Sequence, residues 1–261
     1  MERDFEGKVA VVTGTTGIGE GAALRLARGG ASVCALGIDT AANARLAGMA
    51  REQGLVLQTI AADVSKAADV EKAFAETVAR FGGIDVLVNC AGIQTYGTVV
   101  TTTLEDWDRV IDVNLKSIYL TGHFAIPYMI RRGGGAIVHI ASVQGHACQR
   151  NVAGYAASKG AIHALTRSMA LDHAKDNIRV NSVSPGSVRT PMLEFAAREL
   201  GGPGQGMEDK IVEFGAKHPL GRVGTIEEIA DLIAFLAGPH CGFCTGADFL
   251  ADGGLKAGLS V

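Results

Sequence analysis

The sequence predicts a doubly wound α/β domain, a parallel sheet with helices packed on both faces. Two observations carry this reading. Seven short runs, 8–13, 31–37, 56–61, 84–90, 135–141, 178–184 and 247–251, are apolar along their length, as suits strands buried on both faces. Between them lie longer stretches of helical period, such as 66–81, where Val70, Phe74, Val78 and Phe81 recur at spacings of four and three. Strand alternating with helix implies right-handed crossovers and a single parallel sheet. No Pro/Ser-rich linker or charge block divides the chain, so residues 1–261 read as one domain.

The first strand runs into Thr13-Gly14-Thr15-Thr16-Gly17-Ile18-Gly19, and a helical stretch follows to about Arg28. A glycine-rich turn at that place lets main-chain N–H groups approach a pyrophosphate, with the helix dipole adding attraction. The second strand ends at Gly37, followed by Ile38 and Asp39, and the fourth runs into Asn89-Cys90-Ala91-Gly92. Asn114 lies in the helical stretch 104–131, where an amide is a mediocre helix former and ordinarily faces solvent. Ser142 follows the fifth strand, which places its hydroxyl at the C-terminal edge of the sheet, where open α/β folds bind ligands.

Tyr155 and Lys159 are four apart in the helical segment 153–174, so both project from one face. A phenol with a pKa of about 10 is a poor base at neutral pH, and a neighbouring ammonium is expected to lower that value. The one irregular region is 190–223, where Gly201, Gly202, Pro203, Gly204 and Gly206 interrupt two helical patches. It is expected to form a lid over a site.

The composition sets outer bounds. A net charge of −3 argues against nucleic acid as a main partner, and 20% charged with 48% hydrophobic residues excludes a disordered chain. The 35 glycines show no triplet period and read as turns. No apolar run approaches the roughly 18 residues that span a membrane, and charges at the start lead directly into a strand, so a soluble, cytoplasmic protein is expected. Five cysteines, an odd number, point to reduced thiols. Cys241 and Cys244 have the spacing of half a zinc site, but no second pair exists and His240 alone cannot complete the shell, so no metal is expected.

Taken together, these segments resemble the short-chain dehydrogenase/reductase family over nearly the whole chain. The likeness is carried by the Thr13–Gly19 loop, Asp63-Val64, Asn89-Cys90-Ala91-Gly92, Asn114, Ser142, Tyr155-Ala-Ala-Ser-Lys159, Asn181-Ser-Val-Ser-Pro185-Gly186 and Asp252-Gly253-Gly254. It implies a Rossmann-type three-layer sandwich with a seven-stranded sheet and hydride transfer between a nicotinamide dinucleotide and a carbon bearing oxygen. By that resemblance Tyr155 moves the proton, Ser142 fixes the reacting oxygen, and Lys159 tunes Tyr155 and binds the nicotinamide ribose. Asn114 holds a water in a proton relay. Gly14, Thr16, Gly17, Ile18 and Gly19 hold the pyrophosphate end, Asp63 and Val64 the adenine, and Asn89, Ala91 and Gly92 the turn beside the adenosine. Pro185, Gly186, Val188 and Thr190 close on the nicotinamide carboxamide.

Three positions depart from the family pattern. Only Thr15 and Thr16 separate Gly14 from Gly17, one residue fewer than usual. The acidic position that reads the ribose is Gly37, with Asp39 two residues on and no Lys or Arg nearby, which favours NAD over NADP. Cys90 replaces a second asparagine and is expected to pack as a small apolar group.

In this family the stretch between serine and tyrosine lines the pocket. Here Gln144, His146, Gln149 and Arg150 occupy it, and Gln94 follows the Asn89 turn. The amides suit a polyhydroxylated substrate, a sugar, sugar acid or polyol oxidised to a ketone or from lactol to lactone, since buried polar groups must be paired. His146 reads as a surface residue rather than a base. Competing readings are a reductase of oxoacyl chains on a carrier protein, which Arg131 and Arg132 favour and Asp172 and Asp176 oppose, an apolar ketone or steroid reductase, and a catalytically silent dinucleotide sensor. The family resemblance implies a homotetramer. Ile118, Leu120, Phe124, Ile162, Leu165 and Met169 suit its interface and equally suit a core.

Overall fold

In the computed structural model, which describes residues 3–258, the apolar runs become strands β1 (Val9–Thr13), β2 (Ser32–Gly37), β3 (Leu57–Ala61), β4 (Val86–Asn89), β5 (Gly135–Ile140), β6 (Ile178–Pro185) and β7 (Asp248–Ala251). They form one parallel sheet in the order β3-β2-β1-β4-β5-β6-β7. The order reverses between β1 and β4, and Thr13 at the end of β1 stands opposite both Leu36 and Asn89. That reversal opens a crevice at the C-terminal ends of the strands, the place where such sheets take ligands.

The strand pleat sends alternate side chains to opposite faces. Ala10, Val12, Val33, Val86, Val88 and Val138 enter one core with helices α1 (Gly17–Arg28), α2 (Thr40–Glu52) and the later helix Ile226–Ala237. Val11, Cys34, Leu36, Leu87, Ile137 and Val180 enter the other with α3 (Ala67–Phe81), the helix Ser117–Arg131 and the helix Ala153–His173. Fully buried side chains such as Leu26, Leu46, Phe74, Ile137 and Ile233 contribute about 1.5–3 kcal/mol each over exposure.

The stretch 104–131 is not one α-helix. It is α4 (Leu104–Ile111), a π-helical turn at Asp112–Lys116, and α5 (Ser117–Arg131). Ser117 N–H reaches back to the Asp112 carbonyl, one residue further than α geometry, and Asn114 sits inside this wide turn. The chain stays helical on both sides of this turn, so composition alone reads 104–131 as one helix.

After β5 come α6 (Ala153–His173), then β6, α7 (Pro191–Leu200), α8 (Met207–Ala216) and α9 (Ile226–Ala237). The 190–223 region thus holds two short helices around a glycine-rich turn. Ile118, Leu120, Ile162 and Met169 are buried in the chain's own core, which decides between the two readings of those residues. Among the described residues, no helix is long and apolar enough to cross a membrane.

Candidate active site

A cavity of about 690 Å³ lies along the crevice. Its floor is the Gly14–Gly19 turn. Gly14 and Gly17 take φ of +89° and +55°, which side chains resist. A Cβ on Gly19 would lie 2.3 Å from the Gly14 carbonyl oxygen, so only glycine lets α1 start against β1. Thr16, the N-cap of α1, makes no side-chain cap bond. The leading N–H groups of α1 therefore meet the cavity as an anion-receiving end, a fit to a pyrophosphate despite the shortened loop.

Thr13 ties the two halves of the sheet together. Its Oγ1 accepts from both Cys90 N and Ala91 N at 3.1 Å, fixing the turn after β4. Ala91, Gly92, Asp63 and Val64 line the cavity. Asn89 does not, because its amide joins His139 Nδ1 at 3.1 Å and accepts from Thr121 Oγ1 at 2.8 Å behind the wall. Burial raises and the Ser65 hydrogen bonds lower the Asp63 pKa; with Lys66 nearby, the carboxyl settles below its ordinary value. Asp39 stands at the rim and caps α2, accepting from Ala41 N and Ala42 N on Oδ1 at 2.9 and 3.0 Å.

Ser142, Tyr155 and Lys159 converge on the cavity, all three buried. The Ser142 hydroxyl acts on the Tyr155 phenol, lowering its pKa, and accepts from Gln144 N at 3.1 Å. Lys159 Nζ donates to the Ile140 carbonyl at 2.7 Å and lies 5.5 Å from the centre of the Tyr155 ring. Burial pushes the phenol up to about 12, with the Ser142 hydroxyl opposing and Tyr96 adding to the rise. This corrects the expectation of an acidified phenol. The ammonium is itself desolvated, which brings Lys159 down to about 8, and its hydrogen bond goes to the Ile140 carbonyl. Asn114 is likewise behind the wall: Oδ1 accepts from Ile93 N at 2.8 Å, and Nδ2 donates to Ile93 O at 2.9 Å and Ser158 Oγ at 3.1 Å.

The opposite wall is the segment after β6. Pro185, Gly186, Val188 and Thr190 all face the cavity, and a Cβ on Gly17 would touch Thr190 Cγ2 at 3.2 Å, so this segment meets the glycine turn. His218 positions it. Ser187 N donates to His218 Nε2 at 3.1 Å, which leaves Nδ1–H to donate to the Phe214 carbonyl at 2.9 Å. Met192, Leu193, Ala196 and Leu200 of α7 and Phe214 of α8 add an apolar wall. Arg189 holds α7 to α8 through Glu208 at 2.6 and 2.8 Å and Glu194 at 3.2 Å.

Gln94, Gln144 and Gln149 line the cavity, whereas His146 and Arg150 do not. His146 turns instead to Asp248 at 2.7 Å. Tyr96, which sequence reasoning passed over, belongs to the wall beside Tyr155, and its ring lies 6.5 Å from that of Phe195. Its only sequence signal was an aromatic residue shortly after the Asn89 turn. Tyr96 Oη and Gln144 Oε1 are buried without a hydrogen-bond partner. Cys90 is packed against the core, and burial pushes its thiol up to about 12, so it stays a neutral filler.

A family model described as enoyl-(acyl carrier protein) reductase matches residues 12–256. Meso-2,3-butanediol dehydrogenase of Serratia marcescens is 38% identical over 97% of this chain and 96% of its own. The chain belongs to the short-chain dehydrogenase/reductase family. Cyclohexanol dehydrogenase of an Acinetobacter strain is 36% identical over 97% of this chain and 96% of its own. The ligand-free structure of Thermoplasma acidophilum aldohexose dehydrogenase superposes with a TM-score of 0.91 at 37% identity, covering 100% of this chain and 98% of that one. As a short-chain dehydrogenase/reductase, the protein is an NAD(P)-dependent oxidoreductase acting on alcohols or ketones.

Proposed function

We propose that this enzyme oxidises a secondary alcohol that carries a second hydroxyl beside the reacting carbinol, in a sugar, sugar acid or polyol, with NAD as the favoured dinucleotide. The carrying observation is the pair of buried, unpartnered atoms Tyr96 Oη and Gln144 Oε1 on the wall that also holds Ser142 and Tyr155. A buried polar group without a partner is costly, and a substrate hydroxyl next to the reacting one supplies what both lack. The matched relatives named for butanediol and aldohexose support the reading, since both names denote neighbouring hydroxyls. A carrier-protein substrate is disfavoured because Arg132 is engaged by Asp85 at 3.1 Å and Arg131 lies over the Tyr128 ring at 4.4 Å.

A bound nicotinamide dinucleotide supplies the hydride acceptor. The Gly14–Gly19 turn and the α1 terminus hold its pyrophosphate, Asp63 and Val64 meet the adenine, and the Pro185–Thr190 segment closes on the nicotinamide end. Tyr155 Oη takes the proton from the reacting oxygen while the Ser142 hydroxyl donates to that oxygen. Lys159, protonated up to about 8, holds the ribose beside the phenol. Asn114 acts through Ile93, fixing the main chain that borders the reacting centre. Helices α7 and α8 serve as the lid.

The preference for NAD follows from charge. Among the described residues lining the cavity the cations are Lys159 and Lys217, neither beside Asp39 at the adenosine-ribose end, and Asp39 stands at the rim where a second phosphate would lie. The assembly is proposed as a homotetramer, for which exposed Tyr119, Leu171 and Phe243 supply apolar surface; a monomeric mass in light scattering overturns it.

A matched pair tests the substrate class: a vicinal diol and the mono-alcohol lacking its second hydroxyl. The diol is expected to have kcat/KM at least about tenfold higher, and Tyr96→Phe with Gln144→Ala should erase the difference. Equal values for the two alcohols overturn the reading in favour of an apolar substrate held by Met192, Leu193 and Ala196.

A further inference from the structure

Outside the cavity, three residues from distant parts of the chain meet. His146 follows Ser142 by four positions, His163 lies one helical turn beyond Lys159 on α6, and Asp248 opens β7. We propose that His146 Nε2, His163 Nε2 and the Asp248 carboxylate form a binding site for one divalent cation of the zinc type. The ligand atoms all lie within 4.8 Å of one another. His146 Nε2 is 2.7 Å from Asp248 Oδ2, and His163 Nε2 is 3.6 Å from Oδ1. Ligand atoms around a tetrahedral zinc with bonds of about 2.0–2.1 Å lie roughly 3.3 Å apart, so modest side-chain adjustment admits the ion.

The surroundings are those of a built site rather than a surface contact. Ser182 Oγ and Ser184 Oγ donate to Asp248 Oδ1 at 2.5 and 2.9 Å, orienting the carboxylate and leaving Oδ2 toward His146. Ser184 Oγ also lies 3.0 Å from His163 Nε2. The two imidazoles stack with centres 4.2 Å apart, and each has its Nε2 near the Asp248 carboxylate. Ligated carboxylates are held in this way by further hydrogen bonds, and at His163 the ion takes the Nε2 position that Ser184 Oγ now meets. Two nitrogens and one carboxylate oxygen, without thiolate, suit zinc, nickel or copper over calcium or magnesium. A bound ion would fasten the loop after Ser142, the helix of Tyr155 and Lys159, and β7 to one another.

The test is a titration of the chelator-stripped full chain with zinc and with cobalt(II). One equivalent is expected to bind, and zinc at a hundredfold excess over Kd should raise Tm by about 5 °C or more. Bound cobalt should show visible d–d bands without the intense thiolate charge-transfer band. His146→Gln, on an exposed loop, and Asp248→Asn should each abolish the equivalent while circular dichroism stays unchanged. Ser182→Ala, which removes a bond to Asp248 Oδ1 alone, should weaken binding about 10–100-fold, and a chain with Cys148, Cys241 and Cys244 all replaced by serine should still bind. Absence of saturable binding, survival of the equivalent in His146→Gln, or its loss in the triple-serine chain overturns the site and leaves the trio a hydrogen-bonded clip.

Discussion

Asn114 holds the main chain of Ile93 from both sides, with Ile93 N–H donating to Oδ1 at 2.8 Å and Nδ2 donating to Ile93 O at 2.9 Å. The π-helical turn at Asp112–Lys116 carries that side chain, so a local irregularity in one helix sets the path of the loop bordering the cavity. Asn114→Ala leaves both Ile93 groups unpaired in a half-buried setting. Unfolding free energy is expected to fall by about 1–3 kcal/mol, read from urea midpoints at constant m. If stability and kcat/KM both hold, Ile93 finds other partners and the clamp has no consequence.

How much of this was legible beforehand depends on how local the signal is. Strands such as 9–13 and 135–140 were plain because every residue but Gly135 is buried, and Tyr155 with Lys159 was plain because helical spacing alone brings them together. Thr13, Tyr96 and His218 were not, since each acts on a segment far along the chain: Thr13 on Cys90 and Ala91, His218 on Ser187. The phenol went the wrong way because sequence shows the neighbouring charge but not the burial, and here burial raises the phenol.

Tyr155→Phe removes the hydroxyl and keeps the ring that packs against Lys159. A fall in kcat of about 10²–10⁴-fold is expected for loss of the proton-transferring group. Dinucleotide Kd, followed by fluorescence, should stay within a few fold. Unchanged turnover of every accepted alcohol would sink the assignment of Tyr155.

His218→Ala removes an acceptor from Ser187 N–H and a donor to the Phe214 carbonyl at once. The segment Pro185–Thr190 then loses its backing, while Ser142, Tyr155 and Lys159 are untouched. KM for the dinucleotide is expected to rise about tenfold, equivalent to roughly 1.4 kcal/mol, with kcat changed far less. An equal loss in kcat would place His218 nearer the chemistry than the geometry does.

Lys159 gives a pH dependence of definite sign. Burial lowers it from 10.5 to about 8, so below pH 8 the ammonium is charged in both states and the fold bears the full cost of enclosing it. Between about 8 and 10.5 the unfolded chain keeps a proton that the native chain releases, and stability gains up to about 1.4 kcal/mol per pH unit. Lys159→Met lacks this gain. The stability of wild type relative to Lys159→Met, from urea melts at pH 7 and pH 10, should therefore rise with pH; a constant difference refutes the argument.

His139 titrates in the opposite window. It is fully buried on β5, its Nδ1 accepts from Asn89 Nδ2 at 3.1 Å, and Nε2 has no partner, so burial brings its pKa from 6.5 down to about 3. Above pH 6.5 the imidazole is neutral whether the chain is folded or not, and its contribution is complete. As pH falls from 6.5 toward 3 the unfolded chain gains a proton that the native state refuses, and stability drops by up to about 1.4 kcal/mol per unit. His139→Gln keeps an acceptor for Asn89 and cannot take up that proton. The variant should be no more stable than wild type at pH 7.5 and should surpass it near pH 4, in thermal melts at matched ionic strength. Parallel pH profiles for the two proteins would mean that acid unfolding begins elsewhere and that the proton reaches His139 only after the sheet has opened.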